Sequence, residues 1–201
     1  MEDIWEIMAA NPVKREDPKG KPSYSFDSMG YALPRLNDED AMKALRLVTS
    51  QTPVIAKMRP LGKEYMCHQN AERLAKQFGG EAVRGYRVEL SVNDILEVMD
   101  HSVIRAGDSF YDVTPYFDAK RSMFVGFDRL LPEFYETSFN PMFPQYGVRR
   151  VLGRPNFFIP LTPHGQRTLH KRVGSAGKVV KESELGRDDI WDRHNIIVER
   201  F

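Results

Sequence analysis

Met66-Cys-His-Gln-Asn-Ala-Glu-Arg-Leu-Ala-Lys-Gln-Phe-Gly-Gly-Glu-Ala-Val-Arg-Gly-Tyr-Arg-Val-Glu-Leu90 carries two periodicities back to back. In the first half Cys67, Ala71, Leu74, Ala75 and Phe78 recur at helical spacing and make one apolar face. Glu72, Arg73, Lys76 and Gln77 take the opposite face. Gly79-Gly80 ends the helix, because glycine reaches the left-handed conformation that a helix stop needs. From Glu81 to Leu90 the pattern alternates and is rich in Val and Tyr, which reads as a strand.

Working downstream, Ser102-Val-Ile-Arg is a second strand and Phe110-Tyr-Asp-Val a third, with Ala106-Gly-Asp-Ser turning between them as a hairpin. His101 stands at the entrance of the first hairpin strand and Asp112 on its return. Thr114-Pro115 ends the return strand. Residues 123–160 hold many aromatics and prolines without clean periodicity and read as irregular structure packed on a core. Residues 161–201 read as an extension that closes with a short strand, Ile196-Ile-Val. Upstream, Val54-Ile-Ala-Lys-Met is a short strand. Ala41, Met42, Leu45 and Leu47-Val48 form a helical pattern behind an Asn37 or Asp38 cap. Residues 12–24, polar and broken by Pro and Gly, read as an exposed arm. The expected organisation is an N-terminal arm and loop over residues 1–36, a core over 37–160 and a C-terminal extension over 161–201.

The chain has 201 residues, 41% hydrophobic and 28% charged, enough for one domain with its own core. No apolar run approaches the roughly 18–20 residues of a spanning helix, and the acidic, amphipathic start lacks the features of a signal peptide. A single cysteine excludes an internal disulfide framework and any multi-cysteine zinc site, and points to a reducing, cytoplasmic compartment. Net charge is +1, but it is unevenly spread: residues 149–181 carry eight Lys and Arg and no acid. With aromatics only at Phe157-Phe158, that stretch makes a thin platform for nucleic acid. It is expected to dock on the acidic remainder of the chain, so a nucleic-acid partner is not expected.

Three residues carry chemistry. Cys67 begins a helix, where free amides and the helix dipole favour thiolate over thiol. His101 and Asp112 flank one turn, and a bulge or longer loop would make them neighbours. A thiol activated by an imidazole, whose tautomer a carboxylate fixes, is the ordering that nucleophilic catalysis requires. Taken singly, each has a plainer role: Cys67 as a small core residue, His101 as a strand end, Asp112 as a turn cap. Cys67, His68, His101 and Asp112 could also hold one metal ion. Adjacent helical side chains point about 100° apart, which makes shared ligation awkward, so no metal or other cofactor is expected.

The segments Tyr65-Met-Cys-His-Gln-Asn-Ala, Val83-Arg-Gly-Tyr-Arg-Val and His101-Ser-Val-Ile-Arg-Ala-Gly-Asp-Ser-Phe-Tyr-Asp-Val-Thr-Pro115 resemble the transglutaminase-like branch of the papain-like cysteine enzymes. The resemblance covers roughly residues 54–118. It departs from the family at Tyr65, where Gly is frequent, at Val103, where Trp is frequent, and at Val113, which separates Asp112 from the Thr-Pro turn. It implies an α+β fold, a Cys-bearing helix packed on an antiparallel sheet. It implies acyl transfer at a protein or peptide amide through Cys67, His101 and Asp112, with cross-linking, deamidation or hydrolysis as the outcome. It also suggests Gln51 as an oxyanion donor; Asn70, on the first helical turn, would brace the loop or His101. The alternative from another class is a non-catalytic binding or assembly protein of the same fold, docking through its basic segment.

Overall fold

Asp38 caps the helix α1 (Glu39–Leu45), its carboxylate accepting from the Ala41 amide at 3.1 Å. The computed structural model describes residues 31–32, 38–63, 66–91, 93–115, 121–127, 134–138, 148–173, 177–185 and 195–201. The exposed arm expected at residues 12–24 lies outside them. Chain order continues from strand β1 (Tyr31–Ala32) and α1 through β2 (Val54–Met58), α2 (Cys67–Phe78), β3 (Glu81–Ser91), β4 (Ile95–Ala106), β5 (Ser109–Asp112) and β6 (Arg121–Gly126). Then come β7 (Phe134–Ser138), β8 (Val148–Gly153), β9 (Asn156–Pro160), α3 (Pro163–Val173), β10 (Lys178–Lys181), a 3-10 turn (Glu182–Glu184) and β11 (Asn195–Glu199). Among the described residues the architecture is mixed α and β: three α-helices on a large sheet that closes on itself.

Closure follows from the pairings. β3 runs antiparallel to β4 from Glu81↔Arg105 to Leu90↔Leu96. From there the sheet passes through β6, β2 and β5 and returns to β4, a ring of five strands. Ala56, Val103 and Phe124, with Val54, Val83 and Phe110 against them, come from all five strands and pack together. They fill the inside of the ring, since alternate residues of a strand face opposite sides. The outer face carries two clusters. One joins α1 through Ala41, Ala44 and Leu45 to Tyr86, Val88, Leu96 and Val98. The other joins α2 through Ala71, Leu74 and Ala75 to Ile104, Tyr111 and Val113. Each large apolar side chain so buried contributes about 1.5–3 kcal/mol.

β4 is the long spine of the molecule. Its first half, Ile95–Val98, pairs with β9, and its last residues, Ile104–Ala106, pair with β5. His101 therefore lies in the middle of a twelve-residue strand and not at a strand entrance. Ile95, Leu96, Glu97 and Val98 are all buried, so the run before His101 has no alternation for a sequence reading to find.

Two further expectations are corrected. The sheet is not wholly antiparallel: β2–β5, β9–β11 and β10–β11 are parallel pairs. Parallel pairing requires crossovers, and α3 with β10 supplies the one between β9 and β11. Within residues 123–160 the described parts are largely strand, not irregular. β6 sits between β3 and β2 with Ser122–Val125 all buried, so it shows no alternation, and β9, between β4 and β11, is only five residues long. Residues 161–201 supply α3 and two strands of the same sheet, with Ile196, Ile197 and Val198 buried. Among the described residues, no helix is long and apolar enough to cross a membrane.

Candidate active site

Cys67 is the first residue of α2, and among the described residues no side chain caps that helix start. The approach to it is pinned from three directions. The Arg59 amide donates to the Asp112 carbonyl at 2.7 Å and the Gly62 amide to the Val113 carbonyl at 2.8 Å. Asn70, buried one turn into α2, accepts from the Lys63 amide at 2.9 Å and donates to the Lys63 carbonyl at 2.6 Å and to Thr114 Oγ1 at 3.1 Å. Asn70 thus clamps the entry loop to the end of β5, and it is the loop it holds, not the His101 ring. A Cβ on Gly62 would lie 2.3 Å from Asn70 Cγ, so this packing needs glycine.

His101 and Asp112 meet without a bulge. The two-residue turn at Gly107-Asp108 sets Ala106 opposite Ser109 and Ile104 opposite Tyr111. Continued, that register puts Asp112 opposite Val103, and His101 is its diagonal neighbour on the same inward face, within reach of a long side chain. His101 Nε2 lies 2.8 Å from Asp112 Oδ2. Ser122 Oγ donates to the same oxygen at 2.9 Å and the Thr114 amide to Oδ1 at 3.2 Å. Both residues are buried. Across the ladder from His101 is Gly85, where a Cβ would lie 2.2 Å from the Val125 carbonyl and 2.5 Å from the Phe124 ring.

A second imidazole, His68, follows Cys67 directly on α2. His68 Nδ1 lies 2.6 Å from Ser102 Oγ and its Nε2 lies 3.0 Å from Asp100 Oδ2. Asp100 also accepts from the Arg154 amide at 2.9 Å and lies 3.8 Å from the Arg84 guanidinium. Asp100 and Ser102 flank His101 on β4, so one strand presents His101 on one face and the partners of His68 on the other.

The electrostatics follow from this cage. Burial pushes the Cys67 thiol up, but hydrogen bonds and charge from His101 and His68 outweigh it and bring the thiol down to about 6. Burial pushes His101 down, while the Asp112 carboxylate and the sulfur raise it to about 9. Burial likewise opposes the charge on His68, and Asp100 and the sulfur raise it to about 9. For Asp112, burial acts upward but is outweighed by His101, Arg87 and Ser122, which hold the carboxyl below its usual range. These shifts favour a thiolate at Cys67 and imidazoliums at His68 and His101 at neutral pH.

Gln51 is exposed. Its amide donates to Thr49 Oγ1 at 3.2 Å and its Cγ lies 4.0 Å from where a Cβ on Gly126 would be. No contact among the described residues joins it to Cys67. Sequence reasoning weighed His68 only as a metal ligand and assigned no role to Asp100, Ser102, Ser122 or Gly85. A polar pair two residues apart, Asp100 and Ser102, on the face of β4 opposite His101 was the available signal. Of the basic stretch, Arg154 is buried with its guanidinium 4.9 Å from the Phe127 ring. Among the described residues no group of three His, Cys, Asp or Glu side chains is arranged to hold a metal ion. Comparison with known proteins finds no match: no family model, no curated protein and no solved structure aligns significantly with the chain.

Proposed function

We propose that the protein is a cysteine enzyme of the transglutaminase-like or papain-like kind, acting by acyl transfer at a protein or peptide amide through Cys67, His101 and Asp112. The observation that carries this reading is the buried 2.8 Å pair between His101 Nε2 and Asp112 Oδ2 beside Cys67, the first residue of α2, whose thiol the His101 and His68 imidazoles draw down. With Nε2 committed to Asp112, Nδ1 is the ring nitrogen left for the sulfur. That arrangement gives one imidazole an orienting carboxylate on one side and a nucleophile on the other.

The Cys67 thiolate attacks the amide carbonyl, and the oxyanion forms at the start of α2, where backbone amides of the first turn and the helix dipole favour negative charge. His101 gives its proton to the departing amine. The thioester is then opened by water or by an amine, and His101 takes the incoming proton. Asp112 remains ionised throughout and keeps the ring in place.

Incubation with a glutamine-rich protein and a labelled primary amine tests this. Amine incorporation, released ammonia and new N-termini are read in one sample, with Cys67→Ala as the control. The reading requires at least one Cys67-dependent product and a transient thioester on Cys67. A reactive thiol that forms no acyl adduct with amide or activated-ester substrates would refute it.

A further inference from the structure

His68 differs from His101 in one decisive respect: both of its ring nitrogens are already engaged. Nδ1 faces Ser102 Oγ at 2.6 Å and Nε2 faces Asp100 Oδ2 at 3.0 Å. His101 has Asp112 on Nε2 alone. The Asp100 carboxylate only accepts, so Nε2 carries a proton; the Ser102 hydroxyl accepts from Nδ1–H when the ring is charged, and the negative charge of Asp100 and of the Cys67 sulfur favours that charged ring. Ser102 is buried at 1% exposure, so its hydroxyl serves the ring and is out of reach of a substrate. The Asp100 carboxylate is itself fixed by the Arg154 amide at 2.9 Å, with Arg84 beside it at 3.8 Å.

We infer that His68 is a fixed cation for the Cys67 sulfur, locked by Asp100 and Ser102, and that proton transfer in the site runs through His101 alone. The inference rests on the reading of Cys67 as the nucleophile and divides the work between two imidazoles. His101 can lose and regain a proton because one of its nitrogens faces the reacting centre. His68 has no ring nitrogen left to face that centre, because Ser102 and Asp100 occupy both. It acts through the sulfur as a positioning residue, favouring the thiolate before attack and again as the leaving group when the thioester is opened. The charged groups around this pair, among the described residues, are Cys67 on α2, Arg84 and Arg87 on β3, Asp100 and His101 on β4, and Asp112 on β5. Asp100, with Arg84 beside it, bears on His68, and Asp112 and Arg87 bear on His101.

The test is the pH dependence of iodoacetamide labelling of Cys67 in the wild type, His68→Gln, Asp100→Asn, Ser102→Ala and His101→Gln, with folding checked by thermal melting. Losing the fixed cation moves the acid limb of labelling upward by about one pH unit or more, so His68→Gln labels at least about tenfold more slowly on that limb. The deficit closes as pH rises past the thiol's own pKa. Ser102→Ala, which removes one anchor and leaves the ring, shifts the limb in the same direction by less, and stands in if His68→Gln or Asp100→Asn does not fold. His101→Gln retains labelling below the pH at which a free cysteine reacts, yet loses acyl transfer. Superimposable profiles for folded wild type, His68→Gln and Ser102→Ala would overturn the inference and leave the nucleophile reading standing. A wild-type thiol that labels only after unfolding would overturn both.

Discussion

Asp112→Asn removes one charge and almost no volume from a residue with no solvent exposure. Its carboxylate accepts from His101, Ser122 and the Thr114 amide at 2.8, 2.9 and 3.2 Å. An amide can keep its oxygen toward Thr114, but its NH2 then faces His101 Nε2. The ring must accept there, so it becomes neutral and carries its proton on Nδ1, toward the sulfur. It can then neither take a proton from the thiol nor stabilise the thiolate by charge. The lost charge-assisted bond destabilises the fold by about 1.5–3 kcal/mol. For a chain of this size that lowers Tm by about 3–12 °C. Acyl transfer falls by about 10³–10⁴-fold, the scale of a wrong-tautomer imidazole. His101 also falls from about 9 toward its ordinary value, because the carboxylate that raised it is gone. Circular dichroism with thermal melting, amine incorporation and Cys67 labelling read the three effects separately. A folded Asp112→Asn protein with undiminished acyl transfer would refute the role given to Asp112, and so would outright unfolding, which marks a structural turn residue.

The remaining predictions concern the scaffold. Asn70→Ala leaves the Lys63 and Thr114 groups without their partner and costs about 2–3 kcal/mol; calorimetry reads the loss, and slower Cys67 labelling in the folded variant shows that the loop no longer holds the helix start. Gly85→Ala has no positive-φ strain to add, but its Cβ would sit 2.2 Å from the Val125 carbonyl; overpacking of about 1–3 kcal/mol lowers Tm, whereas an unchanged Tm would mean that β3 and β6 are not in close contact. Stability should fall as pH rises from neutral. The stabilisation from the two raised imidazoliums is complete below the ordinary histidine pKa of 6.5 and is lost as pH rises through about 9. The stabilisation from the depressed thiol is complete above 9.0 and is lost as pH falls through about 6. Two protons held against one released leave a net slope on the order of 1 kcal/mol per pH unit between those limits, and urea titrations at neutral and alkaline pH check its sign.

Local signals made α2, β2, β3 and the turn into β5 legible. The α2 apolar face and its Gly79-Gly80 stop are properties of adjacent residues, and so is the alternation of β3. Gly79 and Gly80 do take positive φ, 85° and 114°. The length of β4 was hidden because its first four residues are buried on both faces. Ring closure was hidden because it depends on pairings such as Val54↔Phe124 and Gly85↔Gly126, which no local pattern encodes. The diagonal meeting of His101 and Asp112 was within reach, since a regular two-residue turn suffices and no bulge is needed. His68 was harder: its partners Asp100 and Ser102 lie more than thirty residues away, and only the packing of α2 on β4 brings them together.

The central claim is that Cys67 rests as a thiolate. Ultraviolet titration of the native protein against Cys67→Ala isolates the absorbance of that one sulfur. The account predicts a thiolate that appears with a midpoint near about 6 in the folded protein and moves upward when His101 or His68 is replaced. A midpoint at or above the ~8.5 of a free cysteine would contradict it, because the sulfur would then be an ordinary thiol.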